Sequence, residues 1–310
     1  FLEFKSTNSL TTFDDVISKV ADPKFANDRI PTFELLIIDE AQDLSKHLWD
    51  FAKKLIDFAE TTYIAGDDDQ AIMESLGASP TTFINFPVTE GDESLEQSYR
   101  VPKSVRDYVD QGVMRYIENE FPERKIKEWI PQEKSGLTFS GAIFEDKENV
   151  TVRSYSVTPD DLIREVIIDW YACKAKGEQL DSEDTDIPKR LGHMLEAEEI
   201  NSDALSYSDW LIMCPTRATG ERISAALVEK NIPHFLRNRA VLGADESEER
   251  IRVQTIHTSK GAEAANTAVV VESPGDIRTL VTDPRLAYVA LTRASSRMFP
   301  RVLKKGLITE

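Results

Sequence analysis

The chain has 310 residues, enough for two domains at about 100 to 200 residues each, and a hydrophobic fraction of 41% supports ordinary globular cores. Its formal net charge of −18 speaks against tight autonomous nucleic-acid binding through a globally basic surface, though not against a local groove. No apolar run approaches the ~20 residues of a membrane helix, the opening FLEFKSTNSL has no basic-then-apolar secretory pattern, and the two cysteines, Cys173 and Cys214, make no disulfide framework. A reducing, cytoplasmic setting without membrane attachment is expected.

In chain order, residues 35–43 read LLIIDEAQD, four large apolar residues running into three acids. Such a run suits a strand buried on both faces of a parallel sheet, with Asp39 and Glu40 at its carboxyl end, where such sheets place their chemistry. Acids opening a helix would give the same pattern for purely structural reasons. SKHLWDFAKKLIDFAE follows, with Ser45 as a cap and Leu48, Phe51, Ala52, Leu55, Ile56 and Ala59 at helical spacing. TTYIAGD is a second short strand, completing a βαβ pattern. Pro102 to Glu120 reads as a helix, and so does TPDDLIREVIIDWYACKAKG, capped by Thr158 and ended by Gly177.

Composition then shifts: residues 177–203 hold nine acids against two bases, which suits a solvated loop. DWLIMCP restarts a buried strand, GERISAALVEKNIPHF is a helix stopped by Asn231 and Pro233, and IRVQTIH, TAVVVES and the segment after LAYVALTRA complete a second α/β unit. Pro300 is expected to interrupt the terminal strand and leave the last ten residues frayed. His47, His193 and His234 show no metal-ligand spacing, and no zinc site is expected.

Four segments join DEAQD in a fixed order: IAGDDDQAIM (64–73), LEQSYRVP (95–102), IRVQTIHTSKGAEA (251–264) and LAYVALTRA (286–294). Together with DWLIMCPTRATGERISAALVEKNIPHF they resemble the ordered motifs of UvrD/Rep-type superfamily 1 DNA helicases, over most of the chain from Leu35 to Arg297. The resemblance implies an α/β fold of RecA-like (P-loop NTPase type) parallel sheets flanked by helices. Residues 1–97 would form the C-terminal part of a first core. Residues 98–310 would form a complete second core with an acidic insertion near 178–208 and no large accessory domain.

The resemblance also assigns roles. Nucleotide hydrolysis is mostly positioning and charge stabilisation. Asp39 would hold Mg²⁺ through its water shell and Glu40 would orient and deprotonate the attacking water. Gln42 and Gln70, neutral and able both to donate and to accept, would sense the γ-phosphate and the water. Arg100 and Arg293 would be the two fingers closing over ATP, using arginine's planar fork. Arginines after a strand are otherwise commonly structural. Gly261 and Glu263 resemble nucleotide-binding residues, the latter accepting from the ribose. Thr255, His257, Ser259 and Lys260 resemble residues facing the DNA backbone, and Met73 stands where the family stacks a tyrosine on a base. Single-stranded or partial duplex DNA, with repair or replication proteins, are the implied partners, the nucleoid the implied setting, and 3′ to 5′ movement the implied polarity.

The sequence also departs from the family. No Gly-Lys dipeptide of a phosphate-binding loop occurs among the 310 residues, so the chain reads as a fragment that alone would not hydrolyse ATP. Ser75 and Leu76 replace the family's tryptophan–arginine pair, which puts DNA stepping in more doubt than the ATP chemistry. The alternative reading is a catalytically degenerate helicase-like module that binds DNA or protein.

Overall fold

The computed structural model describes residues 2–8, 10–87, 91, 93–125, 127–132, 137–138, 156–157, 207–229, 231–242, 250–271 and 274–303. The helix expected over 158–177, Cys173, His193 and nearly all of the acidic stretch 178–208 lie outside these residues. The chain divides into two compact units, Phe1–Glu93 with Glu123–Ile126, and Ser94–Pro122 with Lys127–Glu310.

The first unit opens with α1 (Leu2–Thr7) and α2 (Phe13–Ala21), the latter closed at its start by a reciprocal Thr12–Asp15 capping box. Strand β1 (Phe33–Ile38), helix α3 (Lys46–Ile56) and strand β2 (Ala59–Ile64) form the expected parallel βαβ, paired from Phe33↔Ala59 to Ile38↔Ile64. Ser45 caps α3 by accepting the Leu48 amide. The deepest residue of α3 is Trp49, which the apolar stripe read from the sequence omits. It is fully buried with Ala52, stacks on Phe86 at 5.2 Å, and is packed by Ile38, Leu44, Ile64 and Phe83. Burial on both faces of β1 does not hold. Alternate positions point outward: Leu35 is 50% exposed, Ile37 63%, and Tyr63 on β2 63%. Among the described residues, the packed side chains cover only the face that carries Ile38 and Ile64. Short 3₁₀ turns at Asp68–Gln70 and Glu74–Leu76 lead to α4 (Pro80–Ile84).

The second unit begins with β3 (Gln97–Pro102), paired in parallel with β4 (Ile130–Gln132). Between them the predicted helix forms as α5 (Lys103–Val109), a π-helical turn (Asp110–Met114) and α6 (Arg115–Glu120). The main sheet comprises β5 (Leu137–Thr138), β6 (Ser156–Val157), β7 (Trp210–Cys214), β8 (His234–Leu236), β9 (Arg239–Val241), β10 (Ile251–Thr255), β11 (Ala264–Val271) and β12 (Ala294–Leu303). Its order is β5-β12-β11-β7-β10-β8-β9, with β6 also on β12, and all pairs are parallel except the β8–β9 hairpin.

All five residues of β7 are buried, as a central parallel strand covered on both faces requires. Helix α7 (Arg217–Glu229) packs Ile223 and Leu227 against Ile212, Val253 and Val270, and ends where Asn231 takes a left-handed φ of 59°. Helices α8 (Pro274–Thr282) and α9 (Pro284–Leu291) follow, the second buried at every position.

Strand β12 runs through Pro300, contrary to the expected interruption, with Pro300 in register with Val269. On its other edge β5 pairs at Arg297–Met298 and β6 at Val302–Leu303, so the proline falls between two short partners. Among the described residues no strand pairs with Pro300 on that edge, where a residue without an N–H is tolerated.

Candidate functional site

In the first unit the end of β1 is shaped by its own carboxylates. Asp39 Oδ1 accepts the Glu40 amide at 2.8 Å, and Glu40 adopts a left-handed conformation (φ 51°, ψ 39°), uncommon for a residue with a side chain. Both carboxylates are exposed. Gln42 is wholly buried: its Nε2 donates to Glu40 Oε2 at 2.5 Å, and its Oε1 accepts the Asp67 amide at 3.0 Å. Asp67 in turn accepts the Gln70 side-chain amide at 2.7 Å and caps the 3₁₀ turn through the Asp69 amide. A continuous hydrogen-bonded chain, Glu40–Gln42–Asp67–Gln70, thus joins the ends of β1 and β2, which are also laced by Ala41 N to Ala65 O and Ala65 N to Ile38 O.

Gly66 permits this closeness. A Cβ there would stand 2.5 Å from Gln42 Oε1 and 2.9 Å from Phe83 Cζ. Met73 is half-buried just beyond, its carbonyl accepting the amides of Leu76 and Ala78. The exposed pair of acids at a strand end fits a hydrated divalent cation, since Mg²⁺ retains its waters and needs only one or two carboxylates.

In the second unit the two predicted arginines meet at the end of α9. Arg100, on β3, donates through Nε to the Thr292 carbonyl at 3.0 Å. Arg293 is buried, with Nε donating to the Val289 carbonyl at 2.9 Å and Nη2 to Thr292 Oγ1 at 3.3 Å. Gln132 fastens the same place, its Nε2 lying 2.6 Å from both the Arg100 and Ser295 carbonyls. Helix α9 therefore orders both guanidinium groups.

The HTSKG segment follows β10 as a 3₁₀ turn. Thr255 and Thr258 pair through their hydroxyls at 3.0 Å, while His257 and Lys260 are half-buried. Ser259 differs from its neighbours: its buried hydroxyl lies 2.8 Å from the Ile256 carbonyl and 3.1 Å from Met213 Sδ, so it braces the turn from inside. Gly261 takes a positive φ of 78°, which glycine adopts without strain, and Glu263 is exposed with its carbonyl accepting from Arg252. Asp283 precedes α9. Burial pushes its carboxyl above the usual carboxylate range, opposed by the Leu286 amide and by the charges of Arg285 and His257.

Sequence reasoning missed Asp67, Gly66 and Gln132. The first two lie inside the quoted IAGDDDQ run, whose three consecutive acids signal that at least one serves as a turn cap. Gln132 carries no local signal.

Residues 2–89 match the family described as the UvrD/REP helicase N-terminal domain. No curated protein sequence matches the chain. Among solved structures, the C-terminal domain of a possible DNA helicase from Lactobacillus plantarum WCFS1 aligns at 12% identity and a TM-score of 0.34, covering 67% of this chain and 89% of that one. An Arterivirus nonstructural protein 10 (helicase) aligns at 13% identity and a TM-score of 0.35, covering 86% of this chain and 38% of that one.

Proposed function

From a chain whose residues 2–89 match a UvrD/REP helicase N-terminal domain, we propose a role in ATP-dependent DNA translocation or unwinding of the UvrD type. The observation that carries this is the hydrogen-bonded chain Glu40–Gln42–Asp67–Gln70, with Gln42 buried within it, which ties the strand-end carboxylates to the second motif's glutamine. A strand end needed only for packing has no use for a buried glutamine bridging an exposed carboxylate and the Asp67 amide.

In the proposed chemistry Glu40 accepts a proton from the attacking water. Gln42 sets the Glu40 carboxylate through its amide, and Gln70, turned by Asp67, meets the γ-phosphate or the water. Asp39 would hold a hydrated Mg²⁺, which when bound neutralises charge on the phosphates. Arg100 and Arg293 serve the same turnover by stabilising charge on the transferred phosphoryl group; one such arginine is worth roughly 10³ to 10⁵ in rate.

Gly261 and Glu263 would contact the nucleotide. Thr255, His257 and Lys260 would contact DNA phosphates, with Ser259 holding their turn and Met73 packing on a base. RecA-like topology of both units and 3′ to 5′ movement belong to the same proposal, as do repair or replication proteins as partners. Turnover requires a Gly-Lys-Ser/Thr loop in addition to these 310 residues.

The test is ATP hydrolysis with and without single-stranded DNA, in a polypeptide carrying both this chain and such a loop. DNA-stimulated turnover abolished by Glu40→Gln, with nucleotide still bound, is the expected result. Unchanged turnover in Glu40→Gln removes the general-base assignment, and no turnover in the unsubstituted protein favours the non-catalytic module.

A further inference from the structure

The three acids of GDDDQ do different work. Asp67 holds Gln70, whereas Asp68 and Asp69 hold a segment more than fifty residues away in sequence. Arg124 donates from Nε to Asp69 Oδ1 and from Nη2 to Asp69 Oδ2, each at 2.8 Å, and the two side chains are 6% and 3% exposed. The Lys125 amide donates to Asp68 Oδ2 at 2.9 Å. These residues belong to Glu123–Ile126, a piece of the first unit flanked in sequence on both sides by the second. Three residues before Arg124, the Phe121 ring carries the buried guanidinium of Arg285, with Cζ 3.5 Å from the ring centroid. The chain is thus fastened on either side of Pro122, to α9 within the second unit and to the Gln70 turn within the first.

We propose that Arg124 is a positioning residue for Gln70, clamping Asp69 so that the 3₁₀ turn presents the Gln70 side chain in one orientation. The turn is three residues long, and its backbone closes through Gln70 N to Asp67 O at 2.9 Å and Ala71 N to Asp68 O at 3.2 Å, with the Asp67 carboxylate capping the Asp69 amide. A single turn is a costly nucleus that does not hold itself. The bidentate fork supplies what the backbone lacks, because two parallel charge-assisted bonds fix direction as well as charge. Asp69 directly precedes Gln70 within the same turn, so holding Asp69 restrains the backbone from which the Gln70 side chain projects. The functional meaning of the clamp rests on the γ-phosphate reading of Gln70; its geometry does not.

Amide hydrogen exchange in the 310-residue chain tests this without nucleotide. Arg124→Gln is expected to speed exchange at the Gln70 and Ala71 amides at least about tenfold, while the β1–β2 ladder keeps its rates. Arg124→Lys, which keeps the charge but not the fork, gives a smaller acceleration at the same two amides and serves alone if the glutamine variant does not fold. Adding Asp69→Asn to Arg124→Gln restores part of the protection, since the buried carboxylate that has lost the guanidinium fork is then neutral. Unchanged rates in the turn overturn the proposal. Equal acceleration of the β1–β2 amides does so too, because Arg124 would then stabilise the whole unit rather than position the turn. Turnover of a Gln70→Ala variant in a polypeptide that also carries a Gly-Lys-Ser/Thr loop examines the phosphate reading separately, so the two failures are distinguishable.

Discussion

Gly66→Ala is the sharpest single perturbation of the first unit. The added methyl would stand 2.5 Å from Gln42 Oε1 and 2.9 Å from Phe83 Cζ, both closer than real carbon contacts allow. Phe83 packs on the buried cluster around Trp49, so its ring moves only by disturbing that cluster, at about 1 to 3 kcal/mol. Gln42 is the nearer obstacle, and moving it withdraws the acceptor from the Asp67 amide and the donor from Glu40. Leaving such a group unsatisfied costs roughly 1 to 3 kcal/mol. Both neighbours must yield, so the expected loss is about 2 to 6 kcal/mol for the first unit. Exchange of the Ala65 amide, which donates to the Ile38 carbonyl, reports that unit when followed against urea. A loss under about 0.5 kcal/mol, within the range of ordinary surface substitutions, would show that the approach of Gln42 to Gly66 is not constrained.

Three further outcomes are expected. Trp49→Ala removes a fully buried ring stacked on Phe86 and should cost the first unit about 3 to 5 kcal/mol, read from the same amide. In the second unit His234 is buried, its Nδ1 2.9 Å from the Ile232 carbonyl and its Nε2 2.6 Å from Ser224 Oγ. Burial, helped by the Arg250 charge, lowers its pKa below the ordinary 6.5 despite the Ile232 contact. The unfolded state therefore takes up the proton first, so stability is full above about pH 6.5 and falls as pH drops toward the lowered folded value. Urea unfolding of the second unit at pH 7.5 and 5.5 should show this, and His234→Gln should remove that share of the slope. In a polypeptide that also carries a Gly-Lys-Ser/Thr loop, Glu40→Gln should abolish the proposed DNA-stimulated turnover while sparing nucleotide binding.

Much of the local structure was legible because it obeys local rules. An apolar run ending in acids gave β1, the TTYI stretch before glycine and acids gave β2, Ser45 gave the start of α3, and Asn231 gave the end of α7. The motif order supplied the candidate residues, and the structure gathers them into three sets: Asp39, Glu40, Gln42 and Gln70; Arg100 and Arg293; and the turn from Thr255 to Glu263. What no window of sequence could hold is pairing across distance. The outward exposure of Leu35 and Ile37 depends on which elements cover a sheet face, not on the strand's own pattern. Among the described residues, Pro300 falls between the stretch of β12 that pairs with β5 and the stretch that pairs with β6. Ser259 carried the chemistry of a phosphate contact, yet burial against Met213 turned its hydroxyl inward.

The same holds for the acids beside Gln70. Their spacing marked a site, but their partners, Gln70 for Asp67 and Arg124 for Asp69, were chosen by the folded chain. Sequence by itself determined which residues have the chemistry. Tertiary structure decided which of them face solvent and which are spent holding the others, because burial and hydrogen-bond partners are properties of the assembled core.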